Sequence, residues 1–218
     1  MPKTVATQAL LQDLTRLNKR LSEITLRDFT TLSTEQLHWR ESTHKWSIIE
    51  CIAHLNYVAD FYLPPTLKSV TYSQGKAWPP QETFTRGYWG HRLVSKVRLR
   101  PDNWPKKKIE SSKKYTPTVT INEQLNAQKV FKDFAAHQQT KAQILDIATQ
   151  INLEKTRIYV LFFNLVSINL GDMLKMLIYH DERHVVQAQR ILYHDDFHGN
   201  TPLDVLLSMH GNSLSSNR

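Results

Sequence analysis

The stretch L-I-Y-H-D-E-R-H-V-V-Q-A-Q-R-I-L, from Leu177 to Leu192, decides how the chain is read. It contains neither Gly nor Pro and reads as helix. Leu170, Met173, Leu174, Leu177, Ala188 and Ile191 recur at steps of three and four, which gives the helix one apolar face. His180 and His184 continue that stripe. Residues four apart stack one turn from each other, about 6 Å along the axis. Each imidazole on a core face brings a polar nitrogen that needs a partner. One metal ion satisfies a nitrogen of both rings, and helical zinc sites use this spacing. The same spacing also arises by chance. Two hydrogen-bonded core histidines without metal are the competing reading.

Working outward, the chain has 218 residues, enough for one domain with a full core. Its hydrophobic share of 40% and charged share of 22% are those of a globular protein. With only six glycines and long periodic segments, the class is all-α. No apolar run is long enough for a membrane span. The segment M-P-K-T-V-A-T-Q-A-L-L-Q-D has no signal-peptide core, so the expected location is cytoplasmic. The single cysteine, Cys51, sits in an apolar helical segment and reads as a packed thiol.

Four long helices are expected. The first runs from Val5 to Asp28 on the stripe Leu10, Leu11, Leu14, Leu17, Leu21 and Ile24. A connection from Leu32 to Lys45 holds one short turn. The second helix opens at W-S-I-I-E-C-I-A-H-L-N-Y, beginning with Trp46. Ser47 and Glu50 form a capping box there, which gives Glu50 a structural role. Trp46 is expected to pack over the first turn. Ser47, Glu50, His54, Tyr57 and Phe61 share one face, so His54 looks inward. Pro64 and Pro65 are expected to break or kink this helix. A third helix, from Ile121 to Gln150, is expected to open on a second capping box, Thr120 with Glu123. His137 within it is expected to face solvent. The run Ile158 to Val166 has strand composition, but with no partner strand evident it reads as buried loop.

The net charge of +8 is concentrated. Between Arg86 and Lys114 there are ten Lys or Arg against Asp102 and Glu110. The segment lies within a long connection, 73–120, that carries five prolines and Trp78, Trp89 and Trp104. It reads as a solvated connection. A polyanion-binding module, with Trp89 and Trp104 as stacking surfaces, is the alternative. After Tyr193, His194 and His198 repeat the four-residue spacing as a rival metal pair, at a fraying helix end. The tail, 195–218, is expected to attach loosely to the single domain, 1–218.

W-S-I-I-E-C-I-A-H-L, followed more than a hundred residues later by H-D-E-R-H-V-V-Q-A-Q-R-I-L, resembles the DinB superfamily. The resemblance lies in a Trp-Ser opening a helix with one His, then a late helix with H-x-x-x-H followed by Gln. It implies a four-helix bundle with a long crossover between helices two and three. It also implies a divalent metal held by His54, His180 and His184. Three imidazoles leave a coordination position open, the pattern of catalytic sites. Zinc, nickel, iron and cobalt all suit such ligands. Glu50 and Gln187, each one turn from a histidine, are candidates to orient the rings. The implied activity is that of a metal-dependent enzyme, a thiol (S-) transferase first and a hydrolase second. A metal-stabilised bundle without catalysis is the non-enzymatic alternative. The expected partner is a small-molecule thiol or anionic substrate, with nucleic acid disfavoured and no membrane. A homodimer is among the assemblies open to it.

Overall fold

We analysed the chain in a computed structural model, which describes residues 3–76, 78–105, 125–159 and 166–197. In chain order the elements are β1 (Thr4–Ala6), α1 (Thr7–Phe29), α2 (Thr34–His38), α3 (Ile48–Gly75), β2 (Thr83–Thr85), α4 (Tyr88–Val97), α5 (Ala127–Ala148), β3 (Arg157–Tyr159), β4 (Ser167–Asn169) and α6 (Leu170–Leu192). The four long helices form an all-α bundle. Helix α1 packs on α5 and α6, and α3 packs on the same two. Going round the bundle, the order is therefore α1, α5, α3, α6, with α5 and α6 facing each other across a diagonal.

The apolar stripes explain this arrangement. Leu10, Leu11, Leu14 and Leu21 of α1 are buried, as are Val130, Phe134, Ile144, Leu145 and Ala148 of α5. On α6 the expected stripe is buried from Leu170 through Ala188. Caps set the helix starts. At α3 the Ser47 hydroxyl accepts from Glu50 N–H, and the Glu50 carboxylate accepts from Ser47 N–H at 2.9 Å. At α6 Asn169 accepts from Asp172 N–H at 2.8 Å. Helix α5 is capped by Asn126, which accepts from Lys129 N–H at 2.9 Å. The expected Thr120–Glu123 box lies outside the described residues.

Three expectations are corrected, and the choice between a break and a kink at Pro64 and Pro65 is narrowed: there is no break, and helix α3 runs on to Gly75. Prolines free backbone carbonyls in the preceding turn, and in this region Thr66 and Ser69 hydroxyls donate to the carbonyls of Tyr62 and Pro65 at 2.7 and 3.0 Å. The start of the apolar run at Ile158 is not loop. Arg157–Tyr159 pairs antiparallel with Ser167–Asn169, so the missing partner strand leads directly into α6. Val5 belongs to a strand: β1 pairs antiparallel with β2, Thr4 opposite Thr85. His137 does not face open solvent, since its ring nitrogens meet Asn56 Oδ1 at 3.3 Å and Asp60 Oδ1 at 2.9 Å across the α3–α5 seam.

The described part of the long connection is folded onto α6. Gly90 of α4 lies against Asp172, where a Cβ would meet that side chain at 2.3 Å. Arg183 donates to Lys96 O at 3.2 Å. The Arg98 guanidinium lies over Tyr179, and that of Arg190 over Trp104, 4.1 Å from the ring centre. Asp172, Tyr179, Arg183 and Arg190 form one stripe of α6. It is offset by one residue, about 100° round the helix, from the stripe of His180 and His184. Residues 106–124, which include the rest of the long connection, lie outside the described residues. Phe197, beyond α6, is buried against Trp39 with ring centres 5.5 Å apart. His198 of the rival pair and the remainder of the tail lie outside the described residues. No helix of the described residues is long and apolar enough to cross a membrane.

Candidate metal centre

The capping box fixes the first turn of α3, and His54 follows one turn after Glu50 on the inward face. Across the α3–α6 seam it meets the two histidines of α6. One ring nitrogen from each of His54, His180 and His184 lies within 4.8 Å of the others. Nε2 of His54 and Nε2 of His180 are 3.3 Å apart. All three residues are buried, with exposures of 5%, 9% and 7%. The ring centres of the three imidazoles stand 4.6–5.1 Å from one another.

Two lone-pair-bearing nitrogens do not face each other at 3.3 Å without something positive between them. In the bare protein that is a proton on one ring. The geometry equally suits a cation. Two imidazoles bound to zinc at about 2.0–2.1 Å in a tetrahedral arrangement have their nitrogens roughly 3.3–3.4 Å apart. The donor set agrees. Nδ1 of His184 meets Gln187 Oε1 at 3.1 Å, so that nitrogen carries the proton and Nε2 keeps a free lone pair toward the cluster. Nδ1 of His180 is buried and has no partner among the described residues.

The electrostatics favour the neutral form of His180 and His184. Burial pushes His184 well below the usual imidazole range, and His180, His54 and Arg183 push it further. His180 is lowered by burial first, then by His54, Lys141 and Arg183. A metal competes with protons for imidazole nitrogens, so rings that resist protonation are ready ligands at neutral pH.

Trp46 closes one side of the cluster. Its ring is stacked on His184 at 5.5 Å and 22°, and stands 4.8 Å from His54. It therefore packs both on its own helix and across the seam onto α6. Glu50 is held elsewhere: its two oxygens take Ser47 N–H and the Arg40 guanidinium, the latter at 2.6 Å. Gln187, one of the two proposed orienting residues, bonds directly to a cluster histidine, His184. Cys51 is fully buried, and burial pushes its thiol far up, as a packed side chain requires.

A second feature escaped the sequence. Lys141 of α5 reaches across the bundle diagonal to Asp181 of α6, whose carboxylate also accepts from Gln138 Nε2 at 2.8 Å. Lys141 and Asp181 are 1% and 2% exposed. In the sequence Lys141 sits among polar residues and looks like surface. Only the neighbouring Ile144 and Phe134 signal that this face turns inward.

The DinB superfamily model matches residues 9–188, a span that contains all three histidines and Gln187. The chain belongs to the DinB superfamily. No curated protein and no solved structure matches it at the threshold applied. DinB membership and the three-histidine cluster together fit a metal-dependent enzyme.

Proposed function

We propose that this DinB protein holds one divalent ion on His54, His180 and His184 and uses it as a thiol (S-) transferase. The observation that supports it is the convergence of three buried imidazoles from two helices. Zinc, nickel, iron and cobalt remain equivalent on this donor set. When bound, such an ion supplies a Lewis acid with an open position. The protein's own residues do the rest. Gln187 holds the His184 tautomer, and burial by α3 and α6 favours the neutral form of His180 and His184 and excludes bulk water. Trp46 forms an apolar wall beside His54 and His184. In the transfer, a new bond joins the thiol sulfur to an electrophilic carbon of the acceptor, the leaving group departs from that carbon, and the thiol proton passes to solvent. The proposed location is cytoplasmic, where small thiols are kept reduced. Hydrolysis is the second reading, on the same centre.

Metal content of purified protein and of each His→Ala variant tests the centre. One ion per chain is expected, with loss in each of H54A, H180A and H184A. Unchanged stoichiometry in all three refutes the assignment. The cobalt-substituted protein tests the chemistry: its visible spectrum should change on adding a small thiol. A spectrum indifferent to every thiol, with ester or amide hydrolysis present, selects the hydrolase. Indifference with neither activity leaves a metal-stabilised bundle.

A further inference from the structure

Strand β2 continues its pairing one residue past Thr85, because Arg86 N–H donates to Lys3 O at 3.0 Å. Side chains two apart on a strand point to the same side. Phe84 points into the molecule and is 1% exposed. A Cβ built on Gly171 would meet its ring at 2.5 Å, and Lys175 Nζ lies 5.8 Å from its centre. Arg86 follows on that same side, towards the first turns of α6. Its Nε and Nη1 are shielded from solvent and have no partner among the described residues. A buried guanidinium with two idle donors calls for a ligand or an ion that answers them.

The surroundings are rich in positive charge. Lys175 is 4% exposed, and its ammonium stands 3.8 Å from Asp172 Oδ1. Asp172 Oδ2 is taken by Gly87 N–H at 2.7 Å. Arg98 leans over Tyr179, one turn further along α6. His91 of α4 has its Nδ1 3.3 Å from Ser95 Oγ. Burial, and then the charges of Arg86 and Lys175, hold the His91 imidazole below its usual range. Three cations, Arg86, Lys175 and Arg98, stand with two carboxylates, Asp172 beside Lys175 and Glu182 beside Arg98, so the cluster carries one positive charge in excess.

We propose that Arg86, Lys175 and Arg98, with His91 at the edge, form a binding site for a phosphate-class oxyanion at the junction of β2, α4 and α6. A phosphate group is anionic at neutral pH, so the excess attracts it, and its oxygens accept from a guanidinium fork and an ammonium together. Asp172 Oδ2 is taken by Gly87 N–H and its Oδ1 stands 3.8 Å from the Lys175 ammonium, so neither oxygen answers the two idle donors of Arg86. The site lies on the face of α6 that carries the connection, separate from the histidine cluster, and does not depend on the reading of that cluster.

The test uses the full chain and inorganic phosphate, with chloride at matched ionic strength as control. Phosphate should raise the melting temperature and broaden its own 31P resonance, and chloride should do neither. Titration calorimetry should find R86Q at least tenfold weaker for phosphate and H54A unchanged. Should R86Q fail to fold, R98Q takes its place, with at least a threefold loss expected. Equal responses to phosphate and chloride overturn the proposal. So does wild-type affinity in R86Q, or in R98Q where that is the variant measured. Loss of phosphate binding in H54A overturns it as well, because the anion would then sit at the histidines.

Discussion

His180 and Asp181 are consecutive on α6, and the helix turns them to two different polar clusters. Asp181 points across the bundle to Lys141 and Gln138, where opposite charges meet and the carboxylate is held by an ammonium and an amide. His180 points to His54 and His184, where three like groups meet and burial first, then the neighbouring imidazoles, push His180 and His184 away from the charged form. The first cluster is closed: its charges neutralise each other inside the core. The second gathers lone pairs with too few protons between them. A buried polar group that is paired in this way reads as architecture, while lone pairs converging on one point read as a place for something absent from the chain itself. The contrast is between complementary and identical partners at equal burial.

The largest effect should come from breaking the closed cluster. Asp181→Leu strands the Lys141 ammonium in the core and is expected to cost about 3–5 kcal/mol in urea unfolding at pH 7. The double variant K141M/D181L removes both charges and should recover most of that loss. A double variant as unstable as the single one would show that the pair is more than a compensated charge.

The open cluster should respond to acid instead. In the metal-free protein the folded His180 and His184 have values below the ordinary 6.5, so the unfolded chain binds protons that the folded chain refuses. Their contribution is therefore fully present above pH 6.5 and is lost as pH falls through the lowered values. Each imidazole contributes a slope of up to about 1.4 kcal/mol per pH unit in that window. Urea midpoints of EDTA-treated protein between pH 7 and pH 5 should show this. The H180A/H184A variant should flatten the curve, and an unchanged slope would break the comparison.

A smaller effect belongs to the residue that sets a tautomer. Gln187→Ala removes the bond to His184 Nδ1 and should weaken divalent metal binding about 10–100-fold while stoichiometry at saturating metal stays at one. Competition with a chromophoric chelator measures it, and an affinity equal to wild type would remove Gln187 from the centre. The smallest effect is a control on the same helix as Lys141. Lys129 pairs with Asp133 one turn away on the exposed face of α5, and K129A should leave the urea midpoint unchanged within error. A measurable loss there would mean that burial is not what separates the two lysines.

Much of this was legible before any coordinates. The four long helices follow from stripes with a period near 3.6, and the starts of α3 and α6 fall where Ser47 and Asn169 supply caps. The 180/184 spacing places both rings on one face, and Gln187 falls within reach of His184. What was not legible depends on partners distant in sequence. The strands of β1–β2 and β3–β4 are three residues each, too short for an alternating pattern to register. Pro64 and Pro65 look like breakers, because local propensity does not include the hydroxyls and packing that let α3 continue. Lys141 has only Phe134 and Ile144 on its face as a sign of burial, and its meaning appears only once Asp181 stands opposite. Trp46 lies before the cap, outside the helical period, so nothing in its spacing points to His184.

The order in which the histidines are made has a consequence for when the centre can exist. His54 and His180 are separated by 126 positions. At a synthesis rate of about 5–20 residues per second, the first ring waits roughly 6–25 s for the second to be made. For the first part of that interval α3 has no α5, and throughout it α3 lacks a complete α6 to cover its inward face. Early fragments offer a single imidazole and cannot sequester an ion by this route. Loading therefore waits for α6, the helix that brings His180 and His184 to His54 and completes the centre.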